Sequence, residues 1–148
     1  MNKLKLVTLT LMTALLLQGA SFAAGVGYIN YKKVYDNYPE AKAATKTIDA
    51  KALELQQYLV DKEKEFKSLE TPLKKQKFEE KVAKEFKVKE EAYLKMKVQK
   101  EEEIYKKIQD AAQAVLVDQK LDAVIDFRVI FVGGIDITDL VIQKLRGK

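Results

Sequence analysis

Apolar residues return every three or four positions between Pro39 and Lys120, set among Lys, Glu, Ala and Gln, with no glycine in the span. Over its first half Ala41, Ala44, Ile48, Ala52, Leu55, Leu59, Lys62, Phe66 and Leu69 form a heptad-like seam. That spacing places one stripe along one side of a helix, and a stripe this long predicts coiled-coil packing. Over the second half Phe78, Val82, Phe86, Tyr93, Met96, Ile104, Ile108, Ala111 and Val115 share a looser stripe, which Lys89 and Lys100 interrupt. The one internal breaker is Pro72. Proline lacks an N–H and pushes the residue before it out of the helical region. Two arrangements follow: antiparallel helices that fold back at a tip near residues 71–73, or a single kinked rod. Strand-like segments flank the span. A hairpin brings them together and a rod holds them apart, so the hairpin is the expected form.

Those flanks carry a different pattern. Val26 to Tyr31 is rich in β-branched and aromatic residues and predicts a short strand. Lys32 to Asn37 predicts one or two helical turns, and Pro39 suits the first position of the next helix. After the long span, Ala123 to Asp126 predicts a strand and Val129 to Val132 a second one, closed by Gly133-Gly134; the two strands could also be one bent strand. Both apolar runs, Val124-Ile125 and Val129 to Val132, read as buried on both faces. Asp136 or Thr138 then caps a helix over Ile137 to Arg146, with Ile137, Leu140, Val141 and Leu145 on one face. The predicted fold class is α+β and predominantly helical: a long antiparallel helical arm over 39–118 on a small body built from 24–38 and 119–148. Such a body has about three short strands and a thin core. It is expected to complete its sheet by oligomerising, with Tyr28, Ile29, Val124, Ile125, Ile130, Phe131, Leu140 and Leu145 as core and intersubunit contacts.

The first residues change the picture of where the chain works. Lys3 and Lys5 precede an apolar run from Leu6 to Leu17, followed by small residues up to Ala23. This is the three-part pattern of a secretory signal, with cleavage expected after Ala23 and Ala24 as the second choice. The run reaches only about 18 Å as a helix, against roughly 30 Å of membrane hydrocarbon. Residues 1–23 are therefore expected to be removed and the rest exported.

Composition narrows the chemistry. The 148 residues contain no His and no Cys. Imidazole bases, thiolate nucleophiles and the usual zinc ligands are thus missing. Asp and Glu alternate with Lys along the helices, the pattern of a solvated face. No enzyme activity, cofactor or metal is expected. The formal charge is +5, and +3 once Lys3 and Lys5 are set aside, because no acid precedes Asp36. That suits weak contact with an anionic membrane surface or an acidic partner and does not suit nucleic-acid binding.

Several motifs, in order, resemble the OmpH/Skp family of periplasmic chaperones. They are Val26-Gly27-Tyr28-Ile29-Asn30-Tyr31-Lys32-Lys33-Val34-Tyr35 directly after the signal, Asn37-Tyr38-Pro39-Glu40-Ala41-Lys42 at the entry to the arm, and the Lys/Glu-rich hairpin itself. Leu121 to Asp126 and Gly133 to Val141 complete the resemblance, which covers essentially the whole chain after the signal. It implies a jellyfish-like homotrimer in which short strands build a shared body. Three helical arms then enclose unfolded outer-membrane proteins without ATP. This chain departs from the family in its short arms and in basic residues that are almost all Lys, so no lipopolysaccharide site is carried over. An exported coiled-coil spacer without clients remains the alternative. For a holdase, many weak apolar contacts are required. Tyr58, Phe66, Phe78, Phe86, Tyr93, Met96 and Tyr105 are the candidates on the arm, with Lys67, Lys74, Lys75 and Lys77 as a basic tip.

Overall fold

The computed structural model describes residues 25–147; the expected signal and its cleavage site lie outside the described residues. The elements in chain order are β1 (Val26–Ile29), α1 (Tyr31–Asn37), α2 (Pro39–Lys67), α3 (Pro72–Asp118), β2 (Ala123–Asp126), a 3-10 turn (Phe127–Val129), β3 (Ile135–Asp136) and α4 (Thr138–Leu145). Among the described residues, no helix is long and apolar enough to cross a membrane.

Pro72 begins a helix and does not kink one. α2 ends where the Ser68 hydroxyl donates to the Glu65 carbonyl at 2.6 Å. Thr71 then caps α3 by accepting from the Lys74 amide at 3.4 Å, with Pro72 in the first turn, where its missing N–H costs nothing. The chain therefore folds back. Glu40 pairs with Lys107 at 2.7 Å and the Tyr58 hydroxyl donates to Glu85 at 2.7 Å. The Phe66 and Phe78 rings lie 6.4 Å apart. The sequence separation of these pairs shrinks toward residues 68–71, as an antiparallel hairpin requires. The rod is excluded.

α3 is longer than α2, and its last turns enter the body. Ile104, Ile108, Ala111, Ala112 and Val115 are buried there with Val34, Tyr38, Ala41 and Ala44. From the far side Ile137, Val141, Ile142 and Leu121 close this core. α3 stops in a Schellman turn: the Leu121 amide donates to the Leu116 carbonyl and the Lys120 amide to the Val117 carbonyl. Lys120 occupies the left-handed position, at φ 53°, where glycine is usual. Lys120→Gly is expected to stabilise the chain by about 1 kcal/mol, because a side chain there costs roughly 1–2 kcal/mol. A thermal melt that does not rise would refute this.

The sheet is fully parallel in the order β2-β1-β3, with Tyr28 opposite both Ile125 and Asp136. Parallel neighbours need a long crossover, and α1 with the entire hairpin provides it between β1 and β2. Gly27 sits in the middle of this sheet, where a Cβ would come within 2.7 Å of the Leu121 side chain.

The body departs from expectation at two places. Val129 to Val132 is not a strand. The Asp126 carboxylate accepts from the Arg128 amide at 2.9 Å and from its guanidinium at 2.8 and 2.9 Å, which turns the chain sharply. Both edges of β1 are already taken by β2 and β3, and the run, turned away after Asp126, pairs with neither outer edge of the sheet. The third strand is Ile135–Asp136. Val129–Val132 is also not buried: Phe131 is fully exposed and Val132 and Val129 nearly so. Of the face expected on α4, Ile137 and Val141 are buried and Leu145 partly so, Leu140 is exposed, and Thr138 and Ile142 are buried as well. Tyr28, Ile29, Val124, Ile125, Ile130 and Leu145 are partly buried.

Small polar contacts fix the body at the foot of the arm. The Asn30 side chain caps α1 by accepting from the Lys33 amide, while the Asn30 amide donates to the buried Thr138 hydroxyl at 3.0 Å. The Thr138 amide donates to Asp136 at 2.9 Å, and hydrogen bonding from Thr138, its side chain first and then its amide, holds the Asp136 carboxyl below its ordinary range.

Candidate functional site on the helical arm

The aromatic residues singled out on the arm fall into three groups. Near the tip, Phe66 and Phe78 pack on each other across the hairpin, and both are half-buried. The Lys75 amine lies 5.3 Å from the centre of the Phe66 ring and the Lys62 amine 5.8 Å from that of Phe78. These cation–π contacts explain how lysine occupies a seam. They also take Lys75 out of the free basic tip, and Lys67 is paired with Glu63 at 2.6 Å. Lys74 and Lys77 are exposed, with no ion pair among the described residues. Phe86 is half-buried in the same stretch of α3.

At the foot of the arm Tyr105 is exposed and stacks against Tyr31 at 6.1 Å, itself 6.2 Å from Tyr35. A groove of about 320 Å³ lies beside them between the last turns of α3 and strands β1 and β2, lined by Ile29, Tyr31, Ile108, Leu116, Val124 and Ile125 among others. Tyr105 thus belongs with the body rather than with the middle of the arm.

The third group is a true constellation. Tyr58, Tyr93 and Met96 line one notch of about 310 Å³ between α2 and α3, together with Lys51, Glu54, Leu55, Lys89 and Ala92. The reason is local. Opposite Leu55 and Tyr58, α3 presents the small Ala92 and the interrupting Lys89, so the two stripes do not fill the space between the helices. The Tyr58 hydroxyl closes one end by donating to Glu85. The Lys62 and Lys89 amines lie 5.7 and 5.1 Å from the Tyr58 ring centre. Lys89, Ala92 and Glu85 were not legible as site residues. Glu85 and Lys89 are four apart, a spacing that reads as a plain surface ion pair.

Burial raises the Tyr58 phenol from its ordinary 10.0 to about 12, with the Glu85 hydrogen bond and the nearby negative charge adding to it. Glu85 is lowered in turn, first by that hydrogen bond and then by the surrounding lysines. Folding therefore favours the neutral phenol. The contribution of Tyr58 is whole below pH 10 and is lost as pH rises through about 12. That of Glu85 is present above its ordinary value and is lost as pH falls through the lowered one. In an alkaline absorbance titration, one tyrosine is expected to ionise near 12, and Tyr58→Phe is expected to remove that step. A late step that survives the substitution would contradict the assignment.

A helical hairpin with an unfilled middle, mounted on a small parallel sheet with open edges, defines a class of arm-bearing proteins. Residues 25–145 match the family model for OmpH-like outer membrane proteins. The chain belongs to that family. Among solved structures it is similar to a Caulobacter crescentus protein described as a candidate OmpH-like outer membrane chaperone, at 14% identity and a TM-score of 0.42, over 84% of this chain and 85% of that one. A search of curated proteins finds no match.

Proposed function

We propose that this protein is an ATP-independent periplasmic holdase, which binds unfolded outer-membrane proteins between the helical arms of a homotrimer and keeps them from aggregating. Membership of the OmpH-like family supports this reading. The observation that carries it is the arm itself. Its two helices leave Tyr58, Tyr93 and Met96 around an open notch, and Leu53, Val88, Leu94 and Val98 remain exposed at half or more of their surface. A spacer needs no such surface. Grip without sequence choice comes from many weak apolar contacts, and release without fuel follows from their individual weakness.

The body supports the trimer. Three strands of two to four residues are marginal alone, and both sheet edges are open. The exposed run Val129 to Val132 is an apolar segment without a partner, and a second copy of the body offers matching edges. A head-to-tail contact of this kind forms a three-membered ring when each copy is rotated by a third of a turn from the last. Export by the N-terminal signal, with cleavage after Ala23, places the assembly in the periplasm.

The test is dilution of a urea-unfolded outer-membrane barrel protein into buffer, followed by light scattering. Chain 24–148 is expected to suppress the rise. A stable oligomer that leaves scattering unchanged would favour the spacer.

A further inference from the structure

The mid-arm notch has a chemistry of its own. Its walls are Leu55, Tyr58, Ala92, Tyr93 and Met96, and Lys89 stands at its rim. At about 310 Å³ it lies at the lower end of ligand-pocket sizes, roughly 300–1,000 Å³, so it takes one large side chain and no more. The rim charges are unequal. Lys51 is paired with Glu54 at 2.6 Å. Lys89 has no carboxylate partner among the described residues, and the structure shows why. Glu85, one turn before it, is engaged by the Tyr58 hydroxyl at 2.7 Å and by Lys81 at 3.8 Å, and Glu91 faces Lys87 at 4.0 Å. The surrounding stretch from Phe86 to Lys100 holds five lysines and two glutamates, a net +3. An apolar recess with a cation at its lip that meets the Tyr58 ring but no carboxylate, in a basic band, is complementary to an aromatic group beside a carboxylate.

We infer that the notch is a discrete subsite for an aromatic side chain flanked by Asp or Glu in an unfolded segment, the ring inserted between Tyr58, Tyr93 and Met96 and the carboxylate paired with Lys89. It deepens the holdase reading, on which it rests in taking the ligand to be an extended polypeptide. It also adds a preference: acidic-aromatic segments are held at mid-arm more tightly than segments with a basic neighbour.

The chain contains no Trp, so the fluorescence of a Trp-bearing probe reports on the probe alone. Two short unstructured peptides serve, one with Trp followed by Asp and one with Lys in place of that Asp. The full chain 24–148 is expected to shift the Trp emission to the blue and to bind the Asp peptide about three-fold more tightly, the scale of one exposed ion pair. Lys89→Glu is expected to reverse the preference. Ala92→Leu puts a good helix former on the floor of the notch and is expected to weaken both peptides by about tenfold or more while leaving helicity unchanged. Unaltered binding by Ala92→Leu, a preference that Lys89→Glu does not move, or no binding at all would overturn the subsite. Aggregation suppression is measured on the same preparations. Suppression without notch-dependent binding leaves the holdase standing and removes the subsite. Notch-dependent binding without suppression does the reverse.

Discussion

Ile137→Asp is expected to abolish the folded body. Ile137 has no exposed surface and joins the sheet to α4: its amide donates to the Tyr28 carbonyl at 3.0 Å, and its carbonyl accepts from the Val141 amide at 3.0 Å. Its side chain also fills the space beside Gly27. It belongs to a core cluster of apolar side chains, so a carboxylate there is desolvated and stays unpaired or takes up a proton. Removing the isoleucine alone costs about 2–5 kcal/mol, and an uncompensated buried charge adds about 3–5 kcal/mol. A domain holds only about 5–15 kcal/mol in reserve. Circular dichroism is expected to show a melting temperature lowered by more than about 15 °C or no cooperative melt, while Ile137→Val falls by only a few degrees. A variant that melts within a few degrees of wild type would show that the core is not where the structure puts it.

The second large effect concerns assembly, not folding. Phe131 touches almost nothing in a single chain, so Phe131→Asp is expected to leave the helical signal and the melt of the isolated chain unchanged. In the proposed trimer it would lie between bodies. Fully burying an aromatic of about 200 Å² is worth up to about 5 kcal/mol, and interface hot spots cost about 2 kcal/mol or more when removed. Each contact is then weakened by at least about 30-fold. Ile130→Asp acts on the same run. It is expected to lose oligomeric mass as well, with some loss of stability, because Ile130 is half-buried against the Gly134 turn. Analytical ultracentrifugation decides. Variants that keep the wild-type mass would remove residues 129–132 from the interface.

The long elements were legible because they are local. Pro72 with Thr71 before it specifies a helix start, and stripes on either side specify what packs on what. The hairpin, the strands at β1 and β2 and the helix after Thr138 follow from patterns of this kind. Expectation failed where the outcome depends on partners far along the chain. Val129–Val132 has the composition of a strand, yet both edges of β1 are occupied and the Asp126–Arg128 turn diverts the chain before it. Leu140 is more hydrophobic than Thr138, but Thr138 is buried because the Asn30 amide donates to its hydroxyl. The Schellman turn was invisible because Lys120, not glycine, holds its left-handed position. On the arm, the apolar spacing marked Tyr93 and Met96 but put Leu59 rather than Tyr58 on the seam, whereas the fold exposes Leu59 and gathers Tyr58, Tyr93 and Met96 around one notch. It could not mark Lys89 and Glu85, whose apparent ion pair is broken by a tyrosine from the other helix. Phe66 and Phe78 followed the same spacing rule as Tyr93, and the fold uses them to pack the tip. Periodicity reports which residues face inward, not whether the space between them is filled.

In the proposed holdase, three copies hold one unfolded client. Native mass spectrometry of chain 24–148, mixed with an outer-membrane barrel protein diluted from urea, tests it most directly. The expected result is a complex of three copies with one client and no free aggregate. Unaltered masses for the chain beside an aggregating client would contradict it.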